Sequence, residues 1–196
     1  KDFDVKFFPE GGALLTVAHQ NIAFKAQGSD GFSTEIEGFL FDANGDTLTA
    51  FRSEHDGMGV FTLNPTVGNS YYVIAKSGDG ISKRFDLPAV EEKGITLSMT
   101  HYKKEIRYEI QKTEATEWPQ KLFLIAHTRG KLVILQPVSI DRTFGRMNDS
   151  LFNAGITHFM LIDQQGNALS ECLVFIPDRN PHQWQILADK PTYGKR

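Results

Sequence analysis

Phe39-Leu40-Phe41-Asp42-Ala43-Asn44-Gly45-Asp46-Thr47-Leu48 is the stretch on which the reading of this chain turns. An apolar segment enters, Asp42 opens a short turn, Gly45 supplies the positive φ the turn needs, and a second segment leaves. Asp and Asn favour turns because their side chains bond the nearby backbone, and Gly tolerates the left-handed region. The unit is a β-hairpin. It recurs at Met160-Leu161-Ile162-Asp163-Gln164-Gln165-Gly166-Asn167-Ala168-Leu169, where Asp, Gly and Leu return at a constant offset of 121 residues. One such hairpin in each half of the chain predicts two units of similar construction.

The same two-residue period spreads outward from these hairpins. Phe3, Val5 and Phe7 alternate with Asp4 and Lys6; Ile22, Phe24 and Ala26 with Ala23, Lys25 and Gln27; Ile106, Tyr108 and Ile110 with Arg107 and Glu109. Alternation of this kind marks half-buried strands. Further strands are expected at 14–18, 35–42, 47–52, 59–63, 70–76, 82–87, 95–99, 121–127, 131–136, 156–163 and 168–176. Turn residues punctuate them at short intervals: Gly11-Gly12, Asn64-Pro65, Gly68-Asn69, Gly78 to Gly80 and Arg129-Gly130. A 3.6-residue apolar stripe is missing throughout, and the best helical candidate is a short turn near Met147–Asn153. Many short strands at this spacing read as all-β, two tandem antiparallel sandwiches. The expected units are residues 1–99 and 100–177, with the boundary near Met99–His101. Residues 178–196 change in composition at Pro177 and read as a linker carrying Trp184, Ile186 and Leu187.

The 196 residues suffice for two domains of about 100 residues each. There are 21 Lys and Arg against 24 Asp and Glu, a formal net charge of −3, which argues against a broad phosphate-neutralising nucleic-acid surface. Residues 1–99 hold 8 basic and 14 acidic side chains, and residues 100–196 hold 13 and 10, an asymmetry that also suits two units. No apolar run reaches the ~18 residues of a membrane helix, so no membrane insertion is expected of this segment. The sequence opens at Lys1 without Met or a signal-type stretch and reads as a mature form or a piece of a larger protein.

Chemistry is sparse. Asp42, Asn44 and Asp46 offer oxygens at alternate positions, as a calcium loop does, but position 53 is Ser where a distal acidic ligand would stand, so a plain turn is expected. His19, His55, His101, His127, His158 and His182 form no His-x-x-x-His pair, and no zinc signature follows. His55 and Asp56 are neighbours expected to point apart on an extended chain. The lone Cys172 excludes an intramolecular disulfide and lies in an apolar run as an inert residue, with Ser170 and Glu171 facing outward away from any base. Trp118 and Trp184 raise a carbohydrate-stacking reading, against which stands ordinary packing at a rim. Catalytic, cofactor-binding and metal-binding residues are therefore all expected to be none, and the chain is expected not to be an enzyme.

Several phrases together carry a resemblance. Phe7-Phe8-Pro9-Glu10-Gly11-Gly12 followed by Asn21–Ala26, then His55-Asp56-Gly57-Met58-Gly59-Val60-Phe61, Asn64-Pro65, Gly68 and Tyr71-Tyr72, resembles a macroglobulin-like domain. Lys121–Gly130 and Gly155–Val174 resemble the domain that often follows in large bacterial cell-envelope proteins, some of them linked to TonB-dependent receptors. Asp189-Lys190-Pro191-Thr192-Tyr193 resembles the entry segment of another such domain, so residues 178–196 would end inside a missing third one. The Gly-Cys-Gly-Glu-Gln thioester of the family's protease traps is absent. The resemblance implies macroglobulin-like, immunoglobulin-like sandwiches. It implies a spacer or protein-interaction role beside neighbouring domains and other envelope proteins, in the periplasm or at the surface of a Gram-negative bacterium. The competing reading is a glycan- or ligand-binding module of an outer-membrane uptake system.

Overall fold

The computed structural model describes residues 2–179. Within them run β1 (Phe3–Pro9), β2 (Leu14–Leu15), β3 (Gln20–Gly28), β4 (Ile36–Asp42), β5 (Thr47–Arg52), β6 (Met58–Leu63), β7 (Tyr71–Ser77), β8 (Ser82–Asp86), β9 (Val90–Glu91), β10 (Ile95–Tyr102), β11 (Glu105–Lys112), β12 (Leu122–Thr128), β13 (Lys131–Val138), β14 (Phe144–Asn148), β15 (Gly155–Asp163) and β16 (Ala168–Ile176). A single 3₁₀ turn, Asp149–Leu151, falls where the short helical turn was expected.

The chain builds two tandem antiparallel β-sandwiches. The first packs a three-stranded sheet, β1-β3-β6, on a four-stranded sheet, β5-β4-β7-β8; the second packs β10-β11-β14 on β13-β12-β15-β16. Leaving aside the two-residue strands β2 and β9, the seven strands of each sandwich occupy the same places in the same chain order. The 121-residue repeat, however, does not join equivalent hairpins. Asp42–Asp46 connects the third and fourth strands of the first sandwich, whereas Asp163–Asn167 connects the sixth and seventh strands of the second. The counterpart of β4 is β12, which begins 86 residues later.

Alternation sets the burial. Phe3 and Val5 of β1 turn inward while Asp4 and Lys6 face water, and the pattern repeats along β3 and β7. The first core is rich in phenylalanine: the Phe24 ring lies 5.1 Å from Phe51 and 6.2 Å from Phe61, and Phe3 lies 5.5 Å from Phe85. The second is aliphatic, built on Leu97, Ile106, Ile110, Leu122, Leu124 and Leu161, with Phe152 against Phe159. Ile95 and Leu97 belong to this second cluster, and every residue of β10 pairs with β11. The expected boundary at Met99–His101 thus falls inside a strand, and the two clusters divide between Val90 and Ile95. Strand β14 carries only Phe144 and Met147 as apolar residues beside Gly145 and gave no period to read. Of the stretch 178–196, only Asp178 and Arg179 are among the described residues; the expectations for Trp184, Ile186, Leu187 and Asp189–Tyr193 lie outside them.

Candidate functional site

Three places in the described residues combine side chains in ways that could serve a function. The first is the seam between the sandwiches. After β1, Glu10 and Gly11 reach β10 and β16 of the second sandwich, while Leu14 returns to the first core. Buried Gln20 holds this segment from behind: its Nε2 donates to the carbonyls of Glu10 (2.8 Å) and Ala13 (2.6 Å), and its Oε1 accepts from Leu15 N–H (2.9 Å). On the far side, the Ser170 hydroxyl donates to Gly11 C=O (3.0 Å) and accepts from Leu97 N–H (2.9 Å). Thr96 Oγ1 donates to Glu10 C=O (3.2 Å), and Glu10 Oε1 accepts from Met99 N–H (3.1 Å). Leu14 and Leu15 pair in parallel with Val90 and Glu91. Gly11 sits at φ 84°, and a Cβ there would collide with Thr96 Oγ1 and Ser170 Oγ, so glycine is required for both conformation and space.

Ser170 therefore faces inward, contrary to the outward position expected of it; the bulge between Leu161 and Ile162 resets the register of β16 against β15. Cys172, on the same side of the strand, donates its thiol to Leu97 C=O (2.9 Å). Burial, with Glu10 nearby as a smaller cause, pushes that thiol up to about 12, so it stays protonated and unreactive at neutral pH.

The second place is the outward face of the sheet β13-β12-β15-β16. Leu132, Leu135, Ile156, Leu173 and Phe175 are all exposed there, with Leu173 69% and Phe175 65% accessible. His127 and His158 stand directly opposite each other on β12 and β15 within this face. His158 Nδ1 is 3.2 Å from His127 Nε2, and His158 Nε2 is 2.8 Å from Glu171 Oε2 on β16. Glu171 thus does meet a base, which the sequence reading did not foresee. Histidines 31 residues apart meet only once the strand register is known; a search by short spacing cannot find them.

The third is a groove of about 590 Å3 on the outward face of β10-β11-β14, lined by Ser98, Thr100, Arg107, Arg142, Phe144 and Arg146. Phe144 is exposed, with the Arg142 guanidinium 5.8 Å from its ring. Charge dominates this face: Glu105 pairs with both Arg107 (3.1 Å) and Arg146 (3.4 Å).

The remaining candidates are local. Asp42 Oδ1 accepts from Asn44 and Asp46 N–H, both at 2.9 Å, and Asp163 Oδ1 accepts from Gln165 and Asn167 N–H at the same distance. Asp42 is thereby a turn cap, with an oxygen already committed to the backbone. The side-chain amide of Asn167 donates to Asp163 Oδ2 (2.8 Å), and this bond above all holds the Asp163 carboxyl below its usual range. His55 and Asp56 do not point apart: His55 Nε2 lies 3.2 Å from Asp56 Oδ2, because Asp56 sits at φ 48° in a turn and not in extended chain. Both are exposed. His101 meets buried Asp149 (3.2 Å), which also holds Arg179 (2.7 Å). Trp118 packs against the second core near Lys112. Among the described residues, no group of three or more His, Cys, Asp or Glu could hold a metal ion, and no helix is long and apolar enough to cross a membrane.

No protein-family model and no curated protein sequence matches the chain. Among solved structures, it is similar to the BSP domain of a biofilm-associated protein (14% identity, TM-score 0.39), covering 91% of this chain and 30% of that one. It is similar to invasin, a bacterial integrin-binding protein (14%, TM-score 0.32; 93% and 40% covered), and to a two-domain fibronectin type III segment of chicken tenascin (11%, TM-score 0.31; 91% and 98%). The chain thus spans less than half the length of the two bacterial structures. These are immunoglobulin- and fibronectin-like β-sandwich neighbours, and the fold assignment itself stands on the strand pairing above.

Proposed function

We propose that this chain is a non-enzymatic pair of sandwich domains that acts as a rigid spacer and protein-interaction module within a larger bacterial envelope protein. The seam carries this reading. Two domains joined by a loose linker need no buried glutamine to shape a loop, and no serine shared between the two units. Here backbone carbonyls of one sandwich end on side chains of the other, and these bonds support a fixed relative angle. The resemblance to macroglobulin-like envelope domains suits such a place in an array, at the surface or in the periplasm of a Gram-negative bacterium, with TonB-linked uptake as the finer proposal. The natural occupant of the apolar outward face is a tethered neighbouring domain. Four strands of about seven residues present about 400 Å2, roughly half of what a free-standing partner buries per side, and tethering offsets the shortfall through effective concentration.

Spin labels on Asp79→Cys and Lys131→Cys, one per sandwich and in a Cys172→Ser background, test the spacer. A single narrow distance distribution is expected, broadened by Gly11→Val. A distribution as broad in the parent as in the Gly11 variant overturns rigidity. A second reading, a glycan- or ligand-binding module, draws on the Phe144 groove, where an exposed ring stands beside hydroxyl and guanidinium donors, the set a sugar face takes. Titration with oligosaccharides, lost in Phe144→Ala, would support it; no binding by the parent chain rejects it.

A further inference from the structure

The cross-strand pair His127–His158 goes beyond the spacer reading and does not depend on it. Its two facing nitrogens, His127 Nε2 and His158 Nδ1, are 3.2 Å apart. Neighbouring nitrogen ligands of a tetrahedral ion bound at about 2.0–2.1 Å stand about 3.3 Å apart. The pair therefore already has the bite of a chelate. Its position on the sheet explains why. Residues directly opposite on antiparallel strands bring their Cβ atoms to about 4.5–5.5 Å, and two imidazoles on such a base converge above the strands.

Glu171 supplies what a ligand histidine ordinarily has behind it. Its Oε2 accepts from His158 Nε2–H at 2.8 Å, which fixes the tautomer with Nδ1 as the lone pair. His127 has no such support: its Nδ1 is buried without a hydrogen-bond partner. Nothing at Nδ1 therefore pins the proton of His127 to Nε2. In the metal-free pair, His127 Nε2–H donates to His158 Nδ1. For an ion to take Nε2 as a ligand, that proton would have to move to Nδ1 of the same ring. Solvent reaches the pair, since His158 is a quarter exposed. Ile125 and Met160 form the adjacent cross-strand pair on the same face and make the surroundings apolar.

We infer that His127 and His158 form a two-histidine site for a divalent transition metal, with Glu171 as its positioning carboxylate and the outer positions open to water or to a donor from a docked neighbour. The affinity order should follow the general one, Cu2+ above Ni2+ and above Zn2+.

Calorimetric titration of the full chain with CuCl2, NiCl2 and ZnCl2 tests this, with Cu2+ electron paramagnetic resonance to count nitrogens. The expected result is one site in that order and two coupled imidazole nitrogens. His127→Gln and His158→Gln should each weaken it at least tenfold, Glu171→Gln about tenfold, and His55→Gln not at all. All three side chains of the site lie on the outward face, so far-UV circular dichroism should be unchanged in every variant. Binding that survives both His127→Gln and His158→Gln, or that disappears in His55→Gln, overturns the site. Failure here leaves the spin-label distances untouched, so the two readings fall separately.

Discussion

In the first sandwich Gly59 of β6 lies opposite Phe24 of β3; in the second, Gly145 of β14 lies opposite Tyr108 of β11. The two sites are topological equivalents, 86 residues apart like β4 and β12. In both, an aromatic ring covers the place where a Cβ would stand, 2.5 Å from Phe24 Cζ at Gly59 and 2.5 Å from Tyr108 Cζ at Gly145. They differ in what surrounds the ring. Phe24 is 1% exposed and locked between Phe51 and Phe61, whereas Tyr108 is half-buried at the margin of the second core. Gly59 is also hemmed by the backbone, with Arg52 C=O 2.7 Å from the same point. The comparison teaches that the true repeat in this molecule is a packing device, a ring folded over a strand glycine, and not a string of matching letters.

The largest effect should come from Gly59→Ala. The added methyl meets a locked ring and an immobile carbonyl, and overpacking of this kind costs about 3 kcal/mol, read as a lowered urea midpoint at unchanged slope. A midpoint equal to the parent's would show that the Phe24 ring is free to move. Next come the turn glycines. Gly45 and Gly166 have φ 88° and 86°, with open space around Gly166 and only the Tyr72 hydroxyl at 3.8 Å from Gly45. Gly45→Val and Gly166→Val should therefore each cost about 1 kcal/mol, through the backbone alone. Unequal losses would mean that topology, and not turn geometry, sets the cost. Gly145→Ala should be smaller still, within about 0.5 kcal/mol of the parent, because only the far end of the half-buried Tyr108 side chain, and no backbone atom, stands in the way, while the unfolded chain loses freedom. A loss near that of Gly59→Ala would erase the distinction drawn above.

The smallest effect concerns a proton. Asn167→Asp places in the second hairpin the residue that Asp46 supplies in the first. It removes the amide that holds Asp163 low, and a carbon-13 titration should show the Asp163 carboxyl moving up. The sign follows from linkage. A carboxyl lowered by folding contributes stability that is present above its unfolded value and is lost as pH falls through the folded one. The parent hairpin should therefore hold to a lower pH than the Asn167→Asp variant.

The strands were legible because Phe3-Asp4-Val5-Lys6-Phe7 and its like obey a strict two-residue period, and half-burial enforces that period residue by residue. The hairpins at Asp42 and Asp163 were legible too, since Asx capping is a local bond. Their relation to each other was not: a turn of this kind closes any hairpin, so a match in letters carries no information on topology. Strand β14 escaped because its glycine exists to admit a ring from β11, a requirement set 37 residues away. Ser170 and the histidine pair escaped for the same reason. A one-residue change of register moves a side chain from one face to the other, and register is fixed by bulges that alternation does not record.

The Ser170–Gly11 bond has a consequence in time. It joins residues 159 positions apart, and Gln20 shapes the loop that receives it from within the first sandwich alone. During synthesis the first sandwich and its loop are complete while β16 has yet to be made, since domains fold as units from the N-terminal side. The loop waits as a preformed socket, and closure comes last, with both cores already built. Docking two finished bodies forfeits little further chain entropy, because each core has already closed its own loops.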